Sequence, residues 1–338
     1  MKKIITIVRN KIKQKKFTLF LKEDYLDNIQ KIVLPRKVLI NTMNACNANC
    51  VFCAYQYKKD KPMKMTNELF QKIVKEYNNF DKDSFVSLSP TVGDPLVDST
   101  IFQKIKLAKT NGIKKLQFYT NSILLEDNID NILNSKLDIL EISFPDFNKE
   151  EYIKIFRVDK YDKSLNGIYK LLKKHKEIKS NMLIDINLRP RRDIKLIKRE
   201  EDFINFIQPF LSEIVTVSYI KQFDNWTGLI KQEDLPVGMK LSKDKKHDIN
   251  KPCGRLFDMM FLEDGSVKLC GCRFNGSVYD ELVIGNINEK PLNEIWFSQK
   301  VFDIRNNFFK GIFPDVCKNC SMYEPVSQSI LKKQNKEI

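Results

Sequence analysis

The stretch that decides the fold runs Lys37-Val-Leu-Ile-Asn-Thr-Met-Asn-Ala-Cys46-Asn-Ala-Asn-Cys50-Val-Phe-Cys53, a short apolar strand followed by three closely spaced cysteines. Three thiolates at this CxxxCxxC spacing can bind three irons of a cubane iron–sulfur cluster and leave the fourth iron open to another ligand. A structural zinc site needs four ligands, so three cysteines would require a remote fourth residue. The spacing therefore predicts an iron–sulfur site, with a zinc site or a redox-sensitive loop as the alternatives.

The length of the chain is enough for about two domains. It has 338 residues, of which 42% are hydrophobic and 30% are charged. No apolar run approaches the ~18 residues that span a bilayer. The apolar part of residues 1–9 is too short for a signal peptide. We therefore expect a cytoplasmic protein whose eight cysteines act as ligands or catalysts and do not form disulfides.

The net charge of +15 raises the question of a nucleic-acid partner. Only ten of the 58 basic residues are arginine, the residue that suits bidentate phosphate contacts, and the lysines are scattered along the whole chain. The charge therefore indicates a compositional bias and argues against a nucleic-acid partner. A non-catalytic zinc protein that binds nucleic acid remains the alternative from a different class.

Residues 1–35 form a basic extension before the first motif. Apolar residues alternate with lysines as far as Leu21, which predicts a basic amphipathic helix. We favour a helix that packs over one end of the next domain. Contact of residues 1–21 with a membrane surface or a partner is the alternative.

From residue 36 to residue 228 the pattern alternates between strands and helices. Six such units favour a parallel sheet with right-handed crossovers. A closed eight-fold barrel needs ~250 residues, so the prediction is an α/β fold with a partial (β/α)6 TIM-like barrel. The predicted strands cover residues 37–41, 84–89, 115–119, 137–143, 182–188 and 214–218, and the predicted helices cover residues 67–77, 102–111, 128–134, 164–177 and 203–211.

The composition changes beyond residue 228. Residues 229–251 are rich in charged and turn-forming residues, which predicts a linker. Residues 252–325 contain the last five cysteines and a hairpin signal at Asp264-Gly265, and we predict a small second domain there. Residues 326–338 form a polar tail.

Polar motifs follow the predicted barrel strands at the points where the strands end. Ligands bind at the carboxyl ends of the strands in parallel β/α folds, so these motifs should meet the cysteines at one mouth. The motifs are Val92-Gly93-Asp94-Pro95 after the second strand, Asn121 after the third, Ser143 at the end of the fourth, and Arg189 after the fifth.

The CxxxCxxC run, with the aromatic Phe52 before its third cysteine, resembles the signature of radical S-adenosylmethionine (SAM) enzymes. The resemblance implies that Cys46, Cys50 and Cys53 hold a [4Fe-4S] cluster whose open iron binds SAM. In that family the reduced cluster cleaves SAM to a 5'-deoxyadenosyl radical.

Other positions resemble the family's SAM-binding residues. Gly93 and Asp94 are similar to its Gly-Gly-Glu-Pro motif, with Val for the first Gly and Asp for Glu, and they imply a contact with the SAM amino group. Phe52 implies a wall of the adenine pocket. Ser143 and Arg157 resemble the residues that hold the ribose and carboxylate of SAM, and a guanidinium suits a carboxylate because its fork is bidentate. We also place Asn121 and Arg189 among the SAM-binding residues.

The last five cysteines accompany Ile284-Gly-Asn-Ile and Glu294-Ile-Trp296. This combination resembles the SPASM or twitch domain of radical SAM proteins, and the whole resemblance covers residues 36–325. It implies one auxiliary [4Fe-4S] cluster, for which a zinc ribbon is the alternative. The spare thiol is expected to be Cys272, although Cys270 and Cys272 can exchange roles. The predicted ligands are Cys253, Cys270, Cys317 and Cys320.

The resemblance implies an enzyme, either an oxidoreductase or an epimerase. We expect hydrogen abstraction from a carbinol carbon of a sugar-like, glycan or aminocyclitol substrate. Asp224 would be the base for oxidation, and Cys272 would be the hydrogen-atom donor for epimerisation. An electron donor such as flavodoxin or ferredoxin would be the partner. Peptide modification is the alternative function.

Overall fold

The computed structural model describes residues 34–81, 84–242 and 252–326. The predicted N-terminal helix, part of the predicted linker and nearly all of the polar tail lie outside the described residues. No helix among the described residues is long and apolar enough to cross a bilayer.

Nine strands form one sheet in the order β6-β5-β4-β3-β2-β1-β7-β8-β9. Strands β1 to β6 are parallel neighbours with helical crossovers between them, which confirms the predicted α/β partial barrel. The strands are β1 Lys37–Ile40, β2 Phe85–Ser87, β3 Lys115–Thr120, β4 Ile139–Phe144, β5 Leu183–Leu188, β6 Val215–Tyr219, β7 Asp258–Phe261, β8 Ser266–Leu269 and β9 Val283–Asn286.

The C-terminal region extends the sheet of the barrel. Strand β7 pairs with β1 in parallel, and β8 and β9 follow it as antiparallel neighbours. Arg36 reinforces this junction, because its Nε donates to Asp258 at 2.8 Å and its backbone N–H donates to the Phe257 carbonyl at 2.7 Å. A division into domains at residues 229–251 stays a prediction, since strands on both sides of it share one sheet.

Ten α-helices cover the parallel strands and the C-terminal region within the described residues. The first of them buries Phe70, Ile73, Val74 and Tyr77, one stripe at helical spacing, against the sheet. The helices are α1 Asn67–Phe80, α2 Ile101–Thr110, α3 Ile129–Asn134, α4 Lys149–Phe156, α5 Tyr161–Glu177, α6 Ile194–Ile197, α7 Glu201–Phe206, α8 Leu292–Trp296, α9 Gln299–Phe309 and α10 Asp315–Lys318.

The predicted hairpin after β7 is present. Phe261 pairs with Val267 across it, and Gly265 takes the turn position at φ +88°, a region that favours glycine. The sequence-based assignment missed helix α4. It begins after Asn148, whose side chain accepts from the backbone N–H groups of Glu150 and Glu151.

Candidate functional site

The first cysteine loop, residues 46–53, is held by the C-terminus of α4. The last carbonyls of a helix have no partner inside the helix. Here the backbone N–H of Asn49 donates to the Phe156 carbonyl at 3.2 Å, and that of Val51 donates to the Ile155 carbonyl at 2.9 Å. The missed helix therefore sets the conformation of the loop that carries the three cysteines.

The loop after β2 packs directly against the start of the first cysteine loop. A Cβ on Gly93 would lie 3.0 Å from the Ala45 carbonyl oxygen and 3.1 Å from that of Met43, and Gly93 has φ +141°. The backbone N–H of Asp94 donates to the same Ala45 carbonyl at 2.9 Å. Only glycine satisfies both the close approach and this backbone conformation.

Asp94 ties this loop to the end of β3. Its buried carboxylate accepts from the backbone N–H of Leu96 at 2.9 Å and of Asn121 at 2.7 Å, and from the Thr120 hydroxyl at 3.0 Å. Burial raises the pKa of this carboxyl to about 6, although these hydrogen bonds oppose the rise. The carboxylate thus has a supporting role in the protein, and its contact with the amino group of SAM stays a prediction.

Asn121 reaches the first cysteine loop. Its Nδ2 lies 3.6 Å from the Cys46 Sγ and donates to the Asn47 Oδ1 at 2.7 Å. Its own Oδ1 accepts from the backbone N–H of Ile123 at 3.1 Å. The polar end of β3 therefore meets the thiols at the same edge of the sheet, as the strand-end argument predicts.

Ser143 and Arg189 lie at the ends of the neighbouring strands β4 and β5. Ser143 pairs with Asn187 across the two strands, and the Arg189 side chain donates to Asn187. Burial lowers the pKa of Arg189, while the Tyr119 hydroxyl and the Cys50 thiol nearby oppose that shift. Arg189 is thus a half-buried cation near Cys50 of the first cysteine loop.

Phe52 lies within the first cysteine loop, and Arg157 contacts the turn that follows it. The Phe52 ring packs 5.1 Å from that of Phe223, and its carbonyl accepts from the Trp226 indole at 2.9 Å. Arg157 is exposed, and its Nη1 donates to the Gln56 Oε1 at 2.9 Å. Gln56 lies in the turn Ala54–Tyr57 directly after Cys53, and a contact of Arg157 with SAM stays a prediction.

The C-terminal cysteines separate into four that share a cavity and one that does not line it. The four-thiol cavity is small and is also lined by Arg255 and Arg273. Cys272 stands apart, half-buried, and its Sγ accepts from the Arg255 Nη1 at 3.1 Å. The thiols in the cavity are Cys253, Cys270, Cys317 and Cys320.

Comparison with known families agrees with this arrangement. The model of the radical SAM superfamily matches residues 40–193, and that of the SPASM iron–sulfur cluster-binding domain matches residues 253–321. The chain is a radical SAM enzyme with a SPASM domain. Its cofactors are SAM and two iron–sulfur clusters. Membership in this family sets aside the non-catalytic zinc protein.

The radical SAM enzyme matches curated relatives over only part of their length. It is 27% identical to a probable GTP 3',8-cyclase of Methanocaldococcus jannaschii over 40% of this chain and 45% of that protein. It is 25% identical to a probable GTP 3',8-cyclase of Saccharolobus islandicus over 62% of this chain and 60% of that protein. The chain thus spans roughly half to three fifths of the length of these relatives.

Two solved structures share the fold. BtrN in complex with AdoMet and 2-DOIA is 17% identical, with a TM-score of 0.54, over 85% of this chain and 93% of that chain. Streptococcus suis SuiB bound to precursor peptide SuiA is 14% identical, with a TM-score of 0.60, over 87% and 72%. Likeness at these identities concerns the fold alone.

The residues of the radical SAM enzyme fit the cofactors. Within residues 34–81, 84–242 and 252–326, no three His, Cys, Asp or Glu side chains are spaced for a single metal ion. The four C-terminal thiols that line one cavity are the ligand type and number that a [4Fe-4S] cluster takes. Arg273 adds buried positive charge at the four-thiol cavity, and its Nε and Nη1 have no partner among the described residues.

The structure gives Asp224 contacts that sequence reasoning missed. Its Oδ2 accepts from the Arg273 Nη2 at 2.6 Å, and its Oδ1 accepts from the Ser321 hydroxyl at 2.7 Å. Both oxygens are engaged, which counts against its predicted role as the base. The sequence holds one clue to this ion pair, because Arg273 directly follows Cys272 in a chain with few arginines. It holds no clue to the partner of Arg273, since Asp224 lies 49 residues away.

Proposed function

We propose that the two sets of thiols divide the iron–sulfur clusters between them. Cys46, Cys50 and Cys53 would hold the SAM-binding cluster, and the four-thiol cavity would hold the auxiliary one. Support comes from the Asn121 contact with Cys46 and from the shared cavity of the other four thiols.

Iron counting tests this division. Reconstituted enzyme should hold about eight irons, and replacement of the three N-terminal cysteines by Ala should leave about four. The paired change Cys317→Ala and Cys320→Ala should remove the other four, whereas Cys272→Ala should remove none. Loss of iron in the Cys272 variant would contradict the choice of Cys270 as the ligand.

We further propose that the enzyme inverts a carbinol carbon of a sugar-like or aminocyclitol substrate. One observation carries this proposal: Cys272 is a thiol outside the four-thiol cavity, held by Arg255. Its neighbour Gly271 accepts from the Thr91 hydroxyl at 3.0 Å, and Thr91 belongs to the loop after β2. The Cys272 segment therefore lies against the mouth of the barrel.

Cys46, Cys50 and Cys53 would hold the cluster that binds SAM, and SAM would supply there the 5'-deoxyadenosyl radical chemistry that removes a hydrogen atom from the carbinol carbon. The S–H of Cys272 then gives a hydrogen atom to the opposite face of the carbon, because a thiol S–H bond is weaker than the carbinol C–H bond. One electron and one proton must restore the Cys272 thiol, and a ferredoxin or flavodoxin would supply the electron.

The structure favours inversion over oxidation. Oxidation needs a base for the hydroxyl proton, and the predicted base, Asp224, is already bonded to Arg273 and Ser321. Inversion needs no such base, because the hydroxyl keeps its proton, and Cys272 is available as the hydrogen-atom donor.

The test uses deuterated water, which exchanges the proton of Cys272 for deuterium. The enzyme should form an inverted product that carries deuterium on the carbinol carbon. Cys272→Ala and the size-matched Cys272→Ser should lose this product while they keep their iron and still release 5'-deoxyadenosine. An undiminished yield of a carbonyl product would instead establish oxidation.

The substrate class needs its own experiment. Release of 5'-deoxyadenosine should rise when nucleotide sugars or aminocyclitols are added. The names of the relatives supply the competing candidates, namely GTP and a precursor peptide. A rise with either of these alone would contradict the proposed class.

A further inference from the structure

Arg273 is a buried cation, and two of its nitrogen donors have no partner among the described residues. The residue is 1% exposed and lines the four-thiol cavity. Its backbone is fixed, because its carbonyl accepts from the buried Lys268 Nζ at 2.9 Å. Only its Nη2 is bonded to a side chain, whereas Nε and Nη1 are buried and have no partner among the described residues. A buried guanidinium rarely leaves donors unused.

Asp224 fixes the direction in which these donors point. Its Oδ2 holds the Arg273 Nη2, and its Oδ1 accepts from the Ser321 hydroxyl and from the backbone N–H of Trp226 at 3.0 Å. Ser321 directly follows Cys320, one of the four thiols. The ion pair is therefore anchored to the wall of the cavity itself.

We propose that Arg273 is a positioning residue that donates its Nε and Nη1 hydrogens to the sulfur atoms of the auxiliary cluster and raises the reduction potential of that cluster. The inference rests on the ligand set proposed above. Hydrogen bonds to cluster sulfurs and nearby charge are the means by which a protein sets such a potential. Reduction adds negative charge, which a buried guanidinium stabilises.

Because Arg273 and Asp224 carry opposite charges, neutralising each of them should shift the reduction potential of the auxiliary cluster in opposite directions. Arg273→Gln removes a positive charge and should lower the potential. Asp224→Asn removes a negative charge and should raise it. Arg273→Lys keeps the charge but loses the planar fork, so it should lower the potential by less than Arg273→Gln does.

The measurement is a redox titration followed by electron paramagnetic resonance. It uses full-length enzyme in which the three N-terminal cysteines are Ala, so that only the auxiliary cluster gives a signal. With Arg273→Gln, the ratio of reduced to oxidised cluster at a fixed potential should fall at least tenfold, which for a one-electron couple is about 59 mV. Arg192→Gln is the matched control, since Arg192 also pairs with a buried aspartate, Asp146, but does not line the cavity.

The outcomes separate this inference from the ligand proposal. Absence of iron in the background variant would overturn the ligand set and the inference with it. Full iron with an unmoved potential in both Arg273 variants would overturn the inference alone. If Arg273→Gln cannot hold iron, Asp224→Asn decides, and a potential that stays or falls in that variant would overturn the role of the pair.

Discussion

Gly93→Ala should destabilise the enzyme through two separable effects. The φ of +141° is strained for alanine, which costs about 1–3 kcal/mol. The added Cβ would also lie 3.0 Å from both the Ala45 carbonyl oxygen and the Pro90 Cγ. Such overpacking costs about 1–3 kcal/mol more. We expect the free energy of unfolding to fall by about 2–6 kcal/mol in total.

Gly228→Ala is the matched control for this prediction. Gly228 has φ +92°, and an added Cβ there would meet no atom within 4 Å. It should cost only the strain of a left-handed conformation, about 1–2 kcal/mol. Guanidinium unfolding under anaerobic conditions measures both changes by linear extrapolation.

The two variants should also differ in iron content. The Ala45 carbonyl belongs to the backbone directly before Cys46, so Gly93→Ala must displace the first cysteine loop or its own loop. We expect Gly93→Ala to retain less iron at this loop, whereas Gly228→Ala retains all of it. Equal losses of stability in the two variants, with full iron in both, would refute the argument that these loops are in tight contact.

Two further changes test other parts of the structure. Glu263→Gln should raise the free energy of unfolding at pH 8 by about 1–3 kcal/mol, because burial raises the pKa of Glu263 to about 7 from its usual 4.5. A raised carboxyl pKa stabilises the folded state below pH 4.5, and that stability is lost as the pH rises through 7. The variant should therefore lose less stability between pH 5 and 8, and parallel pH curves for the two proteins would contradict this. Asn148→Ala removes the N-cap of α4 and should cost about 0.5–2 kcal/mol, with reduced iron at the first cysteine loop. Retention of full stability would show that this cap is dispensable.

The local elements were largely predictable from the sequence. All six barrel strands and the hairpin at Gly265 lie where hydrophobic runs and turn residues place them. Helix α4 was missed because it has only eight residues and buries three of them, Tyr152, Ile155 and Phe156. Its N-terminal signal was nevertheless present in Asn148 and the two glutamates that follow.

The contacts between distant segments were not predictable. Nothing in the sequence pairs Asp224 with Arg273, or the Trp226 indole with the Phe52 carbonyl 174 residues away. The same holds for the parallel pairing of β1 with β7, which makes the C-terminal region part of the barrel sheet. These contacts depend on the three-dimensional packing of whole elements.

In the sequence by itself, the spacing of the thiols restricts which metal centre they can hold. The resemblance of this motif to the radical SAM signature implied the family, its chemistry and its cofactors. The sequence also determined the α/β class through strand and helix periodicity. The tertiary structure decided that Cys270 and not Cys272 lines the cavity with the other three thiols, and that the Asp224 carboxylate is already engaged. Those properties depend on the directions of side chains from separate elements, and burial and charge pairing set these directions only after the chain has folded.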